Sequence, residues 1–303
     1  MKEIYSIKKL EQREKELEPE VIIDFIRHGT TKYKEMMDPN FRFDPAASDF
    51  KLDEKHLDLT EPGIKEIEEA ADQLVEVIDQ DNEVVIMITS PNIRAISSSL
   101  VFKDRIQNTG IRVLGHAERR SKKGTVKPAE SIIKSKGIRQ MSFRDEGKKQ
   151  EWMPKDQEYR DKRQGGRTLP PDEIHQEVAE YIGKDMDYFF TENYEDLENR
   201  FNRFIRHMMN LKEYLSPETL QQLQGKKIRI VCFGHEELPI KLMKKSMAVK
   251  QTIKRGQILE IQPEKELKRN QETEAKIKLY PKGESAGQES DIKIKFSPQE
   301  KEK

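Results

Sequence analysis

The chain has 303 residues, enough for one large α/β domain or two small ones. Its 56 basic and 56 acidic residues cancel, which excludes a global electrostatic pull toward nucleic acid or an anionic membrane. A single cysteine, Cys232, excludes an intrachain disulfide, and no run of about 18 apolar residues offers a transmembrane helix. The first residues, MKEIYSIKKLEQREKELEPE, lack the apolar stretch of a secretory signal, so the expected location is the cytoplasm.

In chain order, residues 1–19 read as a charged lead-in with helical character. VIIDFI, from Val21 to Ile26, is short, apolar and β-branched, as a buried parallel strand should be. It runs into a polar turn, Arg27-His28-Gly29-Thr30-Thr31. Residues 32–58 read as a loop. LTEPGIKEIEEAADQLVEVI then predicts a helix: Thr60 is its N-cap, Pro62 sits in its first turn, and Ile64, Ile67, Ala71, Leu74 and Ile78 share one face. EVVIMITS, Glu83 to Ser90, is a second buried strand, followed by a turn and a helix in SPNIRAISSSLVFKDRI. Ile111 to Gly115 suggests a further short strand. The alternation of strand and helix predicts a parallel sheet with crossover helices.

Residues 119–172 are rich in Lys, Arg, Glu and Gly and poor in large apolar side chains, which suggests a charged surface insertion or lid. Helical periodicity returns over residues 173–215. Ile228 to Phe233 forms a third core strand, ending at Gly234-His235-Glu236 and followed by another helix. ILEIQ, KIKLY and DIKIKF alternate as strands do, the last two flanking a Gly/Ser/Glu loop. The expected organisation is the lead-in, an α/β domain over residues 20–262 and a C-terminal β-hairpin or flexible tail over 263–303. The expected fold is a three-layer sandwich: a mostly parallel central sheet flanked by helices, with the charged insertion and a β-rich extension.

Three strands thus end in unusual polar turns: Arg27-His28-Gly29-Thr30, then Ser90-Pro91 with Arg94 one turn into the helix, then Gly234-His235-Glu236. In an open α/β sheet, ligands bind beyond the carboxyl ends of the strands. Two guanidiniums can clamp a phosphate through planar hydrogen bonds. A neutral imidazole is a nucleophile at pH 7, and a second one, protonated beside a dianion, can donate to the phosphoryl oxygens. This chemistry calls for neither metal nor cofactor. Cys232, inside a core strand, reads as an inert small hydrophobe.

RHGTT after a buried strand resembles the RHG motif of the histidine phosphatase superfamily, the phosphoglycerate mutase-like proteins. LTEPGIKEIEEAADQL resembles that family's LTxxGxxQAxxxAxxL helix, SPNIRAISSS its SPxxRAxxTA motif, and IVCFGHEELPIKLM its second-histidine strand and helix. The resemblance implies that His28 carries the phosphoryl group, that Arg27 and Arg94 bind it, and that His235 completes the pocket. Thr30, Thr31 and Glu236 would line it. The family's mutase-like branch draws its proton donor from after the strand that follows the SPxxRA helix, where Glu118 stands. Its acid-phosphatase branch draws it from directly after the second histidine, where Glu236 stands. Asp145 and Glu146 are further carboxylates that a lid would bring in. The usual Asn a few residues after RHG has no counterpart in Thr31-Lys32-Tyr33-Lys34. The implied partner is a small phosphorylated substrate. The implied activity is that of a phosphatase, with a mutase of the same family or a non-catalytic phospho-ligand binder as alternatives.

Overall fold

The structure is a computed structural model. It describes residues 21–31, 58–114, 119–120, 126–127, 132–163, 169–215, 220, 223, 225–247, 252–263, 273–282, 288–289 and 294–296. The lead-in over residues 1–19, most of the loop over 32–58, and Glu118 lie outside them. The first element, β1 (Val21–Arg27), is buried from Val21 to Ile26. Next comes α1 (Glu61–Val75), capped by the Thr60 side chain, which accepts from the Gly63 N–H. Strand β2 (Glu83–Thr89) is buried throughout, and α2 (Ile93–Gln107) follows it. Short strands β3 (Val113–Leu114), β4 (Arg119–Arg120), β5 (Val126–Lys127) and β6 (Ile132–Lys134) come next.

Helices α3 (Glu146–Lys162), α4 (Pro171–Ile182), α5 (Met186–Phe189) and α6 (Tyr194–Met209) fill the middle of the chain. The breaks between them have local causes. Gly183 ends α4 in the left-handed conformation at φ 74°, and Asn193 and Asp196 form a reciprocal capping box that starts α6. The chain returns through β7 (Lys227–Gly234), α7 (Ile240–Met247), β8 (Ile258–Pro263), β9 (Thr273–Leu279), β10 (Gln288–Glu289) and β11 (Ile294–Phe296).

The main sheet runs β10-β9-β8-β1-β7-β2-β3, with β6 also on β2 and β11 also on β9. Its centre, β1-β7-β2, is parallel: Arg27 lies opposite Gly234 and Thr89 opposite Phe233. Strands β3 and β6 pair parallel with β2, while β8 is antiparallel to β1 and β9 to β8. Alternation sends Val21, Ile23 and Phe25 to one face, against Phe201, Phe204 and Ile205 of α6 and Leu242 and Met243 of α7. Ile26, Val85, Met87 and Val231 face the other way, against Ile67, Ala71 and Leu74 of α1 and Phe102 and Ile106 of α2. Helix, sheet and helix are therefore three layers, as expected.

Two expectations change. The stretch over 119–172 is more than a surface insertion: β6 joins the central sheet, and Ile138, Met141 and Trp152 are buried. Charges on α3 hid this, because its polar residues pair with one another around the single buried Trp152. Nor is the segment after 263 a separate tail. Strand β9 extends the sheet, and Ala275 and Ile277 are fully buried against the first core. The described part of KIKLY and DIKIKF pairs as β9 and β11, with Ile294 opposite Ala275.

One polar group crosses the sheet below its working edge. Arg229 on β7 donates to Asp24 of β1 (2.9 Å), Glu83 of β2 (2.7 Å) and Glu260 of β8 (3.2 Å), and the Tyr280 hydroxyl also donates to Glu260. It ties four neighbouring strands together within the sheet.

Candidate functional site

The site begins where β1 stops. The His28 N–H donates to the Gly234 carbonyl (3.1 Å) and the Ser90 N–H to the Phe233 carbonyl (2.9 Å), so three adjacent parallel strands release their chains at one edge. The turn after β1 is held from α1. Thr60 donates to the Thr30 carbonyl through its backbone N–H (3.0 Å) and its hydroxyl (3.2 Å). A Cβ on Gly29 would stand 2.3 Å from the Gly63 carbonyl oxygen, and one on Gly63 would stand 2.1 Å from the Thr30 oxygen. Two glycines 34 positions apart in the chain thus allow backbone to touch backbone, and no larger residue fits either place.

His28 is 9% exposed. Its Nδ1 lies 2.8 Å from the Gly29 carbonyl oxygen, and a carbonyl only accepts, so Nδ1 carries the proton and Nε2 keeps its lone pair. The Gly29 N–H donates in turn to the Ser98 hydroxyl (3.1 Å), which donates to the Arg94 carbonyl (2.8 Å). Burial, reinforced by the Arg94, Arg27 and Arg255 charges, holds the His28 imidazole well below its ordinary value and outweighs its bond to Gly29.

The ring of His235 lies 5.2 Å from that of His28, centroid to centroid, at an interplanar angle of 63°. Arg94 donates from Nε to His235 Nδ1 (3.4 Å), so the other nitrogen, Nε2, carries the proton and donates to the Ser90 hydroxyl (2.9 Å). Burial, then the His28, Arg94 and Arg27 charges, push His235 well below 6.5. Both imidazoles are neutral at pH 7 in this arrangement. Protonation of His235 therefore requires an arriving anion to offset the surrounding guanidiniums.

Arg27 is fixed from both sides: it donates to the Ile253 carbonyl (3.0 Å) and pairs with Glu236 (2.7 Å). Arg94, 8% exposed, also donates to the Gln140 side chain, which links the segment after β6 to the site. Thr30 is engaged rather than open. Its N–H (2.8 Å) and hydroxyl (3.0 Å) both donate to Glu66, and its hydroxyl accepts from Arg255 (3.0 Å). Thr31 forms a lone antiparallel bridge with Leu59.

The structure thus brings together Arg27, His28, Arg94, His235, Thr30 and Glu236. It does not bring in Asp145 or Glu146: Asp145 caps α3 by accepting from the Lys148 N–H, and Glu146 is an exposed partner of Lys149. Sequence reasoning missed Ser98, Glu66, Gln140, Arg255 and Glu237. Glu66 and Ser98 stand inside the LTEPGIKEIEEAADQL and SPNIRAISSS segments, whereas Gln140 and Arg255 come from segments that no motif marks. Glu237 had a signal, the second acid in His235-Glu236-Glu237, and it is 7% exposed. His175 is packed in the aromatic cluster of α3–α6, accepting or donating at Nδ1 with the Tyr194 hydroxyl (2.8 Å) and touching Trp152 and Phe190. Cys232 is buried, its thiol pushed up by burial. Among the described residues, no group of three or more His, Cys, Asp or Glu side chains is placed to hold a metal ion, and no helix is long and apolar enough to cross a membrane.

No protein-family model matches the chain, and no curated protein matches it. Among solved structures it is similar to a phosphoglycerate mutase from Bacillus anthracis str. Sterne. That likeness is 17% identical, covers 82% of this chain and 89% of the other, and has a TM-score of 0.42. It is also similar to a phosphoglycerate mutase from Plasmodium falciparum, at 11% identity, 90% and 99% coverage and a TM-score of 0.35. Both are likenesses of architecture at low identity. The layers and strand order described above stand on this chain's own pairing.

Proposed function

We propose that this chain is a phosphatase that hydrolyses a phosphomonoester through a phosphohistidine on His28. One observation carries the reading: the Nδ1 proton is tied to the Gly29 carbonyl, leaving Nε2 unprotonated beside a second imidazole and within the field of the Arg94 and Arg27 guanidiniums. Nε2 attacks the phosphorus, and the phosphoryl group passes from the leaving oxygen to the ring. Arg27 and Arg94 offset the charge that spreads over the equatorial oxygens, and both are already held in place before the reaction. His235 donates to the same oxygens once the dianion raises its affinity for a proton. A carboxylic acid protonates the leaving oxygen, and water then takes the phosphoryl from His28.

The test is labelling with p-nitrophenyl phosphate radiolabelled at phosphorus, quenched with denaturant at alkaline pH so that an acid-labile phosphoryl group survives. An acid-labile, base-stable label on the full chain, lost in His28→Ala along with at least about 10⁴-fold in turnover, is the expected result. Inorganic phosphate should form in step with p-nitrophenol. Transfer of the label to an added alcohol with no phosphate release would indicate a mutase instead. The absence of any label, with the protein still stabilised by phosphate, would indicate a binder.

A further inference from the structure

The corner before β8 lies against the turn that carries His28. The Ile253 carbonyl accepts from Arg27 Nη1 (3.0 Å), and the Gly256 N–H donates to the Arg27 carbonyl (2.9 Å). Between them, Arg255 donates from Nη1 to the Thr30 hydroxyl (3.0 Å). Residues 253–256 thus hold the chain on both sides of His28, at the residue before it and at the second residue after it. Glu66 of α1 closes the group. Its carboxylate accepts from the Thr30 N–H and hydroxyl, and its carbonyl oxygen would stand 2.3 Å from a Cβ on Gly256.

Thr30 bears directly on the His28 ring. Its N–H and the Gly29 carbonyl belong to one planar peptide unit. Glu66 Oε2 takes that N–H at 2.8 Å, and the carbonyl takes the Nδ1 proton of His28 at 2.8 Å. The orientation of this one peptide therefore sets the orientation of the imidazole. A hydroxyl has a single proton, so the Thr30 hydroxyl, by accepting from Arg255, keeps that proton for the same Glu66 oxygen. Among the described residues, half-buried Arg255 pairs with no carboxylate; its bond goes to a neutral hydroxyl. Its charge also disfavours the cationic forms of Arg27 and His28. A cation set near other cations opposes folding, and such arrangements concentrate at sites that use them.

We propose that Arg255 is a positioning residue of this site: by holding the Thr30 hydroxyl on Glu66, it fixes the Gly29–Thr30 peptide that orients the His28 ring. The assignment rests on the phosphoryl-transfer reading above. Arg255 exchanges no proton and forms no bond to the phosphoryl group; it acts through Thr30. Without it, the hydroxyl keeps one of its two partners and turns more freely. The peptide beside it loosens, and the His28 ring spends less time aiming Nε2 at phosphorus.

The test reads how fast the phosphoryl label forms on the full chain at saturating p-nitrophenyl phosphate. Arg255→Met is expected to slow labelling by about 10- to 100-fold, with KM little changed. Thr30→Val, which removes the hydroxyl, should slow it in the same way. If Arg255 acts through Thr30, the double variant is no slower than the slower single one. Arg255→Lys, which keeps a cationic donor, should recover part of the rate, and a melting curve of each variant reads out folding. Losses that multiply in the double variant, or an unchanged labelling rate in Arg255→Met, would overturn the assignment while the parent chain still labels. So would a rate that only follows the melting temperature across Arg255→Met, Arg255→Lys and Thr30→Val. A parent chain that never labels would overturn the phosphoryl-transfer reading and this assignment with it.

Discussion

At the scale of single residues, the geometry around His28 is set by backbone rather than by side chains. The Gly29–Gly63 contact leaves no volume for a methyl group on either residue, and the atoms that would be struck are backbone. Gly63→Ala is therefore expected to push the turn that carries His28 away from α1. Turnover should fall by about 100-fold or more, since displacements near 1 Å cost that much, and the melting temperature should fall with it. Ser98→Ala, which removes a bond to the Gly29 N–H, should have the same sign and a smaller size, about 1 kcal/mol in a denaturant titration. The titration of the imidazoles follows from their surroundings. Both are held well below 6.5 by burial and neighbouring cations, so no loss of activity is expected as pH falls through 6.5. A plot of kcat/KM against pH from 5 to 8 with p-nitrophenyl phosphate checks this.

At the scale of elements, the Arg229 cluster makes the sheet sensitive to pH. Asp24 is fully buried, its Oδ1 has no hydrogen-bond partner among the described residues, and desolvation raises it to about 7 despite the Arg229 guanidinium beside it. The folded chain therefore binds a proton at Asp24 that the unfolded chain releases near 3.8. That contribution to stability is complete below about 3.8 and is lost as pH rises through about 7. Asp24→Asn is expected to flatten this part of the stability profile between pH 5 and 8, measured by urea titration at each pH. Arg229→Met should do the opposite of relieving strain. It strands the buried carboxylate of Glu83, and that of Asp24 once pH passes about 7, at a cost of about 3–5 kcal/mol.

At the scale of the whole molecule, the apolar interior formed by the described residues falls into three clusters. Two lie on opposite faces of the sheet, and the third joins α3, α4 and α5 around Trp152, Phe189 and Phe190. The third cluster is small and holds the only tryptophan in the chain. Tryptophan fluorescence is therefore expected to change at lower denaturant than far-UV circular dichroism, which follows the sheet and its flanking helices. Coincident transitions would show that the third cluster unfolds with the rest. The Arg94–Gln140 contact joins the segment leading to this cluster to the site, so ligands of the site should raise its transition as well.

The amino-acid sequence by itself determined the core strands β1, β2 and β7, the helices that follow them and the two histidines and two arginines at or just beyond their ends. Those features are local: a β-branched apolar run, an N-cap, a glycine turn and a polar strand end are each legible within a few residues. It also implied the shared edge, because parallel strands release their chains at one end. The sequence did not reveal what charge or alternation concealed. A helix as polar as α3 gives no sign that its one tryptophan anchors a core, and β9 reads as a hairpin arm until its pairing with β8 makes it part of the sheet. Nor could spacing tell the surroundings of Glu236 from those of Glu237. They are adjacent in the chain, and only the packed structure puts one against Arg27 and buries the other, because desolvation and charge depend on neighbours brought from far along the sequence.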